Sequence, residues 1–304
     1  MPQIASYVIV TPAFNEAAYI SKTIESVLVQ TIQPLLWVIV DDDSTDQTAQ
    51  IIRQYAQSHS WIRYVYRQKN TDQTYYASNV YAIQEGLKVI AGQEYDYLAI
   101  LDADISLPQN YYENMLARIE KDPKLGIASG VYVDRIGDDK FKKVLNDRRS
   151  TPKALMVFRK ECYEQIGGFL PMKYGGEDTV ACFAARMNYW KTWSFPDIVA
   201  IHNKLVGTGH TKSTLEIRFR QGIGEYFMAT HPLFLLLKSL RRCIKEPPYG
   251  VGGLMRLAGF VYAHFLREKR QISDELASYI RKEQLGRVLK GNKIPVEYAV
   301  TKTI

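Results

Sequence analysis

The first 133 residues alternate short apolar runs rich in β-branched residues with stretches of helical period, and this alternation limits the possible folds most. The apolar runs lie at 7–10, 37–40, 62–66, 97–101 and 127–133. Between most of them, apolar residues recur three and four positions apart, as they do along an amphipathic helix. Strands that alternate with helices form parallel sheets with crossover connections. The sequence therefore predicts an α/β fold with a mostly parallel central sheet flanked by helices.

The remainder of the chain changes character twice. Residues 134–150 are highly charged with scattered apolar residues, which predicts a loop. Beyond residue 230, Leu233–Leu240 and Val251–Leu266 are strongly apolar and are flanked by Arg and Lys. We therefore expect a main domain over 1–228 and a helical C-terminal extension over 229–304.

Composition restricts the class of protein. With 304 residues, 46% of them hydrophobic and 23% charged, the chain can bury a large core. Three cysteines, Cys162, Cys182 and Cys243, lack paired or metal-like spacing, so neither a disulfide framework nor a zinc site is expected. No basic-then-apolar leader opens the sequence, and we expect a cytoplasmic protein. The formal charge of +7 suits nucleic acid, an anionic membrane or phosphate-bearing ligands without choosing among them.

Polar clusters follow three of the predicted strands. They are Thr-Pro-Ala-Phe-Asn-Glu at 11–16, Asp-Asp-Asp-Ser-Thr-Asp at 41–46 and Asp-Ala-Asp at 102–104. Singly, each has an ordinary explanation as a helix cap or a strand end. Ligands of open parallel sheets collect outside the carboxyl ends of the strands. Three such clusters in one sheet therefore indicate a binding site.

The acidic pair Asp102 and Asp104 suits a hard cation. On an extended segment, carboxylates two positions apart point to the same side and can share one ion. Mg²⁺ or Mn²⁺ takes one or two protein carboxylates together with water and phosphate oxygens. No P-loop and no Gly-x-Gly-x-x-Gly turn follows the first strand, which argues against P-loop kinases and dinucleotide enzymes.

Together with Gly175-Gly176-Glu177-Asp178, these motifs resemble family 2 glycosyltransferases of the GT-A fold over about residues 5–225. The resemblance implies a Rossmann-like GT-A catalytic domain over 1–228. In it, about 5–133 bind a nucleotide sugar, and about 134–228 hold the acceptor and the catalytic groups. It also implies Mn²⁺ or Mg²⁺ as cofactor and an inverting transfer of sugar to a hydroxyl of a saccharide or lipid-linked acceptor. We favour a UDP-sugar, because one carboxylate suffices to read a pyrimidine imide.

The resemblance also implies roles for individual residues. Those near the nucleotide are Thr11, Pro12, Ala13, Glu16, Asp41, Asn79 and Asp102. Asp104 ligates the metal, with Asp102 and His202 close to it. Glu177 and Asp178 form the catalytic acidic pair, in which Asp178 is the general base for the acceptor hydroxyl. Residues 75–78 are Tyr-Tyr-Ala-Ser where the family has small and basic residues, which leaves the shape of the donor pocket open.

Ordinary structural roles stay open for several of these residues. Asn79 also suits a helix-surface amide, and an acidic pair such as Glu177 and Asp178 is common at a helix amino terminus. His202 has a rival in His210, and a lone histidine after a strand is often structural.

Two other functions also remain open. A sugar nucleotidyltransferase usually has a glycine-rich basic loop after its first strand, whereas residues 11–16 contain neither glycine nor Lys or Arg. A non-enzymatic protein that binds membrane or nucleic acid would explain the positive charge. Because Lys and Arg are spread widely and no aromatic-basic RNA-binding motif occurs, we expect no nucleic-acid partner.

The apolar C-terminal segment predicts a membrane contact. Val251–Leu266 is shorter than the roughly 20 apolar residues of a spanning helix, and Arg256 and His264 interrupt it. We expect residues 233–270 to lie peripherally on the inner face of a membrane, where flanking cations meet anionic lipid. Packing on the catalytic domain or on a second subunit of an oligomer is the open alternative.

Overall fold

The computed structural model describes residues 5–70, 74–137, 140–144, 147–204, 213–266 and 268–291. The chain forms two compact units that divide between Lys212 and Ser213.

Among the described residues, the first unit contains one nine-stranded sheet. Its strands are β1 (Tyr7–Ala13), β2 (Leu36–Asp41), β3 (Ile62–Tyr66), β4 (Tyr97–Ile100), β5 (Ile105–Ser106), β6 (Leu125–Arg135), β7 (Phe141–Lys143), β8 (Val157–Arg159) and β9 (Lys191–His202). Their order is β3-β2-β1-β4-β8-β6-β9-β5, and β7 pairs with β6. The predicted parallel arrangement is confirmed for β1 to β4, and β6 and β9 are also parallel.

Helices cover this sheet. They are α1 (Ile20–Leu28), α2 (Thr48–Ser58), α3 (Tyr75–Ile90), α4 (Tyr111–Lys121), α5 (Lys160–Gln165) and α6 (Glu177–Met187). The apolar stripe of α1, formed by Ile20, Ile24 and Val27, is fully buried. Every residue of β1 is buried too, as expected for a parallel strand covered on both faces.

A single glycine brings α3 close to the sheet. A Cβ added to Gly86 would lie 2.7 Å from Val10 Cγ1 of β1 and 3.1 Å from Val40 Cγ2 of β2. Since real Cβ contacts are not that short, only glycine lets the helix backbone approach so closely. The amino-terminal half of α3, with Ser78 and Asn79, then points toward the carboxyl ends of these strands.

The predicted loop over 134–150 is partly wrong. Strand β6 continues to Arg135, and Phe141–Lys143 pairs with it as the antiparallel strand β7. All three residues of β7 are exposed, so backbone pairing rather than apolar burial holds the strand. A strand of this kind leaves no alternating hydrophobic pattern to detect.

The second unit consists, in its described part, of α7 (Thr214–Phe227), α8 (Pro232–Lys245), α9 (Val251–Leu266) and α10 (Asp274–Lys290). Helices α7 and α9 meet in backbone contact, because an added Cβ at Gly222 would lie 1.9 Å from Arg256 O. The contacts thus group α7 with the extension, whereas the sequence grouped 213–228 with the main domain. Helix α10 buries Leu276 and Ile280. In the part of the chain that the structure describes, no helix is long and apolar enough to cross a bilayer.

Candidate functional site

A cleft opens where β1 and β4 end. It is lined by Pro12, Ala13, Phe14, Glu16, Asp42, Asn79, Asp102, Ala103 and Asp104. Neighbouring parallel strands end at the same edge of a sheet, so the loops that follow them converge. The three polar clusters seen in the sequence supply every lining residue except Asn79.

Two residues predicted to contact a nucleotide are buried and are not part of this lining. Thr11 is fully buried and accepts a hydrogen bond from Trp37 Nε1 at 2.9 Å. Asp41 accepts from the Ser44 backbone N–H at 3.0 Å and from the Tyr64 hydroxyl at 3.1 Å. Both side chains therefore hold the loops beneath the cleft, and their contact with a nucleotide stays a prediction.

Asp42 is the carboxylate of the second cluster that reaches the cleft, and sequence reasoning missed it. The Ser78 hydroxyl donates to its Oδ2 at 2.5 Å, and Arg67 forms an ion pair with Oδ1. The sequence alone does not show which of the three consecutive aspartates at 41–43 faces the cleft. The conformation of the turn that follows β2 determines which aspartate faces the cleft.

Lys153 connects separate parts of the cleft, and no sequence motif had indicated it. It begins a single 3₁₀ turn, Lys153–Leu155, which is tied to the strand end by the bond from Asp102 N to Ala154 O at 3.1 Å. Its ammonium donates to Asp102 Oδ1 at 2.6 Å and to Asn79 Oδ1 at 2.9 Å. Burial opposes the charge, but Asp102 and Glu177 outweigh it and raise the pKa of Lys153.

The acidic pair lies in the first turn of α6. Gly175 and Gly176 precede it with φ of 81° and 97°, a left-handed conformation that favours glycine. Asp178 Oδ1 accepts from the Thr179 backbone N–H at 2.6 Å. Burial raises the pKa of Asp178. Burial and the neighbouring Asp178 raise the pKa of Glu177 to about 7.

His202 joins two carboxylates. As the last residue of β9, it pairs with Ile105 of β5 and with Asp134 of β6. This register places its Nε2 3.2 Å from Asp104 Oδ2 and its Nδ1 2.8 Å from Asp134 Oδ1. Burial disfavours the charged ring, but these two hydrogen bonds prevail and raise the pKa of His202 to about 9. Sequence reasoning missed Asp134, which it placed at the start of a loop, and the rival His210 lies outside the described residues.

Glu16 is paired with another residue that the motifs did not indicate. Lys204 Nζ lies 2.9 Å from Glu16 Oε1, across 188 positions of sequence. Burial and the nearby Asp104 raise the pKa of Glu16 to about 7, although Lys204 opposes the shift. The pair places one cation at the acidic side of the cleft.

The residues present suit a divalent cation that needs few protein ligands. Asp104 and His202 face each other, and Asp134 holds the other ring nitrogen, as an outer carboxylate does for a metal-bound histidine. Asp102 is occupied by Lys153. Within the described ranges, no three His, Cys, Asp or Glu side chains could hold a metal ion by themselves. Such a site fits Mn²⁺ or Mg²⁺ completed by water and phosphate oxygens.

Comparisons of sequence place the chain among known proteins. The family model described as Glycosyl transferase family 2 matches residues 8–184, more than half of the chain. Poly-beta-1,6-N-acetyl-D-glucosamine synthase of Staphylococcus aureus (strain COL) is 30% identical over 117 residues, which are 38% of this chain and 26% of the synthase. Glycosyltransferase GlyG of Streptococcus pneumoniae serotype 4 is 29% identical over 122 residues, 40% of this chain and 38% of GlyG. The match thus spans about a quarter of the synthase and well under half of GlyG.

Solved structures of GT-A glycosyltransferases share the fold. The mannosyltransferase PcManGT from Pyrobaculum calidifontis, in complex with GDP-Man and Mn²⁺, has a TM-score of 0.56 at 18% identity, covering 97% of this chain and 78% of PcManGT. Residues 1–349 of S. aureus TarS, in complex with UDP-GlcNAc, have a TM-score of 0.53 at 16% identity, covering 94% of this chain and 81% of that one. These likenesses confirm the predicted GT-A fold. From the extent of the family match, the chain belongs to glycosyl transferase family 2, a family of transferase enzymes.

Proposed function

We propose that this protein is an inverting glycosyltransferase that moves a sugar from a nucleotide-diphosphate donor to a hydroxyl of a saccharide or lipid-linked acceptor. The main supporting observation is the position of Lys153. Its ammonium bonds Asp102 in the cleft, and the charges of Glu177 and Asp178 at the start of α6 help to raise its pKa. The segment before it also contacts α6, because Ser150 Oγ lies 3.3 Å from Thr179 Oγ1. The carboxylate proposed to lie near the donor and the proposed base therefore belong to one site.

The proposed donor occupies the cleft. Its nucleoside lies against the loops that follow β1 and β2, near Pro12, Ala13 and Glu16, with Asn79 and Asp102 beside the sugar-phosphate part. We favour a UDP-sugar, and the TarS complex contains UDP-GlcNAc. The PcManGT complex contains GDP-Man, so both bases occur among proteins of this fold.

Asp104 and His202 are the proposed holders of Mn²⁺ or Mg²⁺, with Asp102 nearby. A bound divalent cation would neutralise the charge of the diphosphate as the donor bond breaks. Asp134 keeps the His202 ring oriented through Nδ1, which leaves Nε2 turned toward Asp104. The Mn²⁺ in the PcManGT complex supports this choice of cofactor.

Asp178 is the proposed base. As the acceptor oxygen attacks the anomeric carbon, its proton passes to the Asp178 carboxylate, and the bond from that carbon to the diphosphate oxygen breaks. Attack opposite the leaving group inverts the anomeric configuration. Burial raises the pKa of Asp178, which makes it a stronger base than an exposed aspartate. Glu177, buried beside it, is the second acidic group of the proposed pair.

The test is release of nucleoside diphosphate from a panel of UDP-, GDP- and dTDP-sugars, with Mn²⁺ and with EDTA. We expect Mn²⁺-dependent release from one donor class. Release of pyrophosphate from a nucleoside triphosphate and a sugar phosphate would instead identify a nucleotidyltransferase. No turnover and no nucleotide binding under any condition would favour the non-enzymatic alternative.

The acceptor determines where the enzyme works. A lipid-linked or membrane-proximal acceptor would bring the protein to the inner face of a membrane through 233–270, and this location is part of the proposal. An oligomer formed through the same segment is the alternative.

A further inference from the structure

The second unit exposes an unusual amount of apolar surface. Half of the exposed large hydrophobic side chains among the described residues lie between positions 233 and 265. On α8 they recur with helical spacing: Leu233, Leu236, Leu237, Leu240 and Ile244. Their exposed fractions run from 40% to 78%. This spacing places them in one stripe along the helix.

Helix α9 has a matching stripe. Its exposed apolar residues are Val251, Leu254, Val261, Tyr262 and Phe265, with Phe265 78% exposed. The opposite side of α9 is buried at Gly252, Arg256, Gly259 and Ala263. A Cβ added to Gly259 would lie 2.0 Å from Phe219 O, so this inner side rests directly on α7. The apolar stripe therefore points away from the packed interior of the unit.

The two stripes lie on the same side of the α8 and α9 hairpin. The helices touch where an added Cβ at Gly253 would lie 2.4 Å from Ser239 O. Just before Gly253, the Gly250 N–H donates to Cys243 O nearer the end of α8, so the chain reverses between the helices. At 100° per residue, each stripe is centred about a third of a turn beyond the residue of its helix, Ser239 or Gly253, that makes the close contact. Both rotations have the same sense when each helix is viewed from its amino end. In an antiparallel pair, such stripes share one side, here called the hairpin face.

The charge around the hairpin face is positive. Neither α8 nor α9 contains Asp or Glu, and Glu246 between them is bonded to Arg242 at 2.7 Å. Arg241 is exposed at the rim of the α8 stripe, and the exposed Lys245 lies about 40° further round the helix, both on the side away from α9. Tyr249 and Tyr262 add exposed aromatic rings, which sit well at a headgroup boundary.

We propose that the hairpin face docks in the plane of an anionic bilayer, with the apolar stripes of both helices at the acyl boundary and Arg241 and Lys245 among lipid phosphates. Interfacial helices combine an apolar face with a cationic rim in this way. A second copy of the chain is the less suitable occupant. It would bring the same cations together without carboxylates on α8 or α9 to pair with them. The hairpin face is the surface that would bring the protein to the proposed membrane location. Only the need for that location, a membrane-proximal acceptor, rests on the proposed function.

The experiment is flotation of the full chain with vesicles of phosphatidylcholine alone or with added phosphatidylglycerol, at low and high salt. We expect binding to the anionic vesicles, weakened by salt because the rim charges are exposed. The double variant Leu240→Glu and Leu254→Glu, with one change on each stripe, should lower the partition coefficient at least about tenfold, since it removes apolar burial from both helices. The matched control is Leu289→Glu, which changes a leucine that is 73% exposed on α10 and should bind as the unchanged protein does.

Two results would overturn the inference. One is no flotation with anionic vesicles at low salt, and the other is undiminished flotation of the double variant. Light scattering completes the test. If the unchanged protein is a dimer that does not bind vesicles, and the double variant is a monomer, then a second copy of the chain covers the face. Nucleoside diphosphate release from soluble donor is measured in parallel. If vesicles bind but no donor is turned over, the proposed function fails while the docking inference stands.

Discussion

Lys153 Nζ lies 2.6 Å from Asp102 Oδ1 and neutralises a carboxylate in a cleft that also contains Glu16, Asp42 and Asp104. The lysine side chain is only 11% exposed, so little water screens this charge. A nucleoside diphosphate is anionic, and a cleft with fewer cations repels it more strongly.

We therefore expect Lys153→Met to weaken UDP or GDP binding about tenfold or more, in line with the roughly 1.5–3 kcal/mol of a hydrogen bond to a charged group. Titration calorimetry with Mn²⁺ measures this. Lys88→Met is the control, because Lys88 is exposed and pairs with Glu85 of its own helix. Equal affinity of Lys153→Met and the unchanged protein would contradict the role of Lys153.

Asp104→Ala should abolish Mn²⁺-dependent nucleotide binding. The change removes the carboxylate that faces His202 Nε2, and one imidazole alone holds a hard cation weakly. Calorimetry with and without Mn²⁺ reports the loss. Asp197→Ala serves as control, since Asp197 is a surface residue paired with Arg118. Full activity in EDTA would disprove the metal assignment.

Asp178→Asn should keep donor affinity and lose turnover by about two orders of magnitude or more, the range for removal of a positioned base. Affinity is read by calorimetry, turnover by nucleoside diphosphate release on the true acceptor, and product configuration by NMR. Turnover at the level of the unchanged protein, or a retained anomeric configuration, would rule out Asp178 as the base of an inverting reaction.

The pH profile gives a second test of Asp178. A base works only when deprotonated, so turnover should fall as the pH drops through its pKa. Because burial raises that pKa above the ordinary aspartate value of 3.8, the acid limb should lie above that value. The pH profile of the residual activity of Asp178→Asn should lack this acid limb. An acid limb at or below 3.8 would contradict the assignment.

Glu225 should stabilise the second unit in a pH-dependent way. Its buried carboxylate lies 2.6 Å from Lys238 Nζ and 3.1 Å from Arg256 Nη1. Burial opposes the charge, but these cations lower the pKa of Glu225 from 4.5 to about 2. A lowered folded-state pKa adds stability that is complete above about pH 4.5 and is lost as the pH falls toward 2.

At neutral pH, Glu225→Gln should lower the free energy of unfolding by about 3–5 kcal/mol, because it leaves buried cations without their carboxylate. Urea unfolding followed by circular dichroism measures this. Between pH 4.5 and 2 the variant should lose less further stability than the unchanged protein. The control is Glu275→Gln at the exposed start of α10, and a similar small effect of both changes would contradict the prediction.

Periodicity located most strands and helices because burial leaves a regular pattern in sequence. Strand β3 and helix α9 have the predicted bounds, and β1, β2 and β4 differ by a few residues at their ends. The pattern failed where backbone pairing replaced burial, as in β7, or where an element is as short as β5. Periodicity needs several turns or alternations before it becomes visible.

Within the cleft, the sequence alone determined which clusters meet, because the carboxyl ends of parallel strands share one edge and the residues after them must converge. Tertiary structure alone decided which members of the clusters face inward and which partners they have. Asp42 lines the cleft while Asp41 is buried, and Lys153 and Asp134 come from segments without a motif. Their contacts join positions 51 and 68 apart in the chain. Such contacts depend on strand register and on one 3₁₀ turn, which no local pattern encodes.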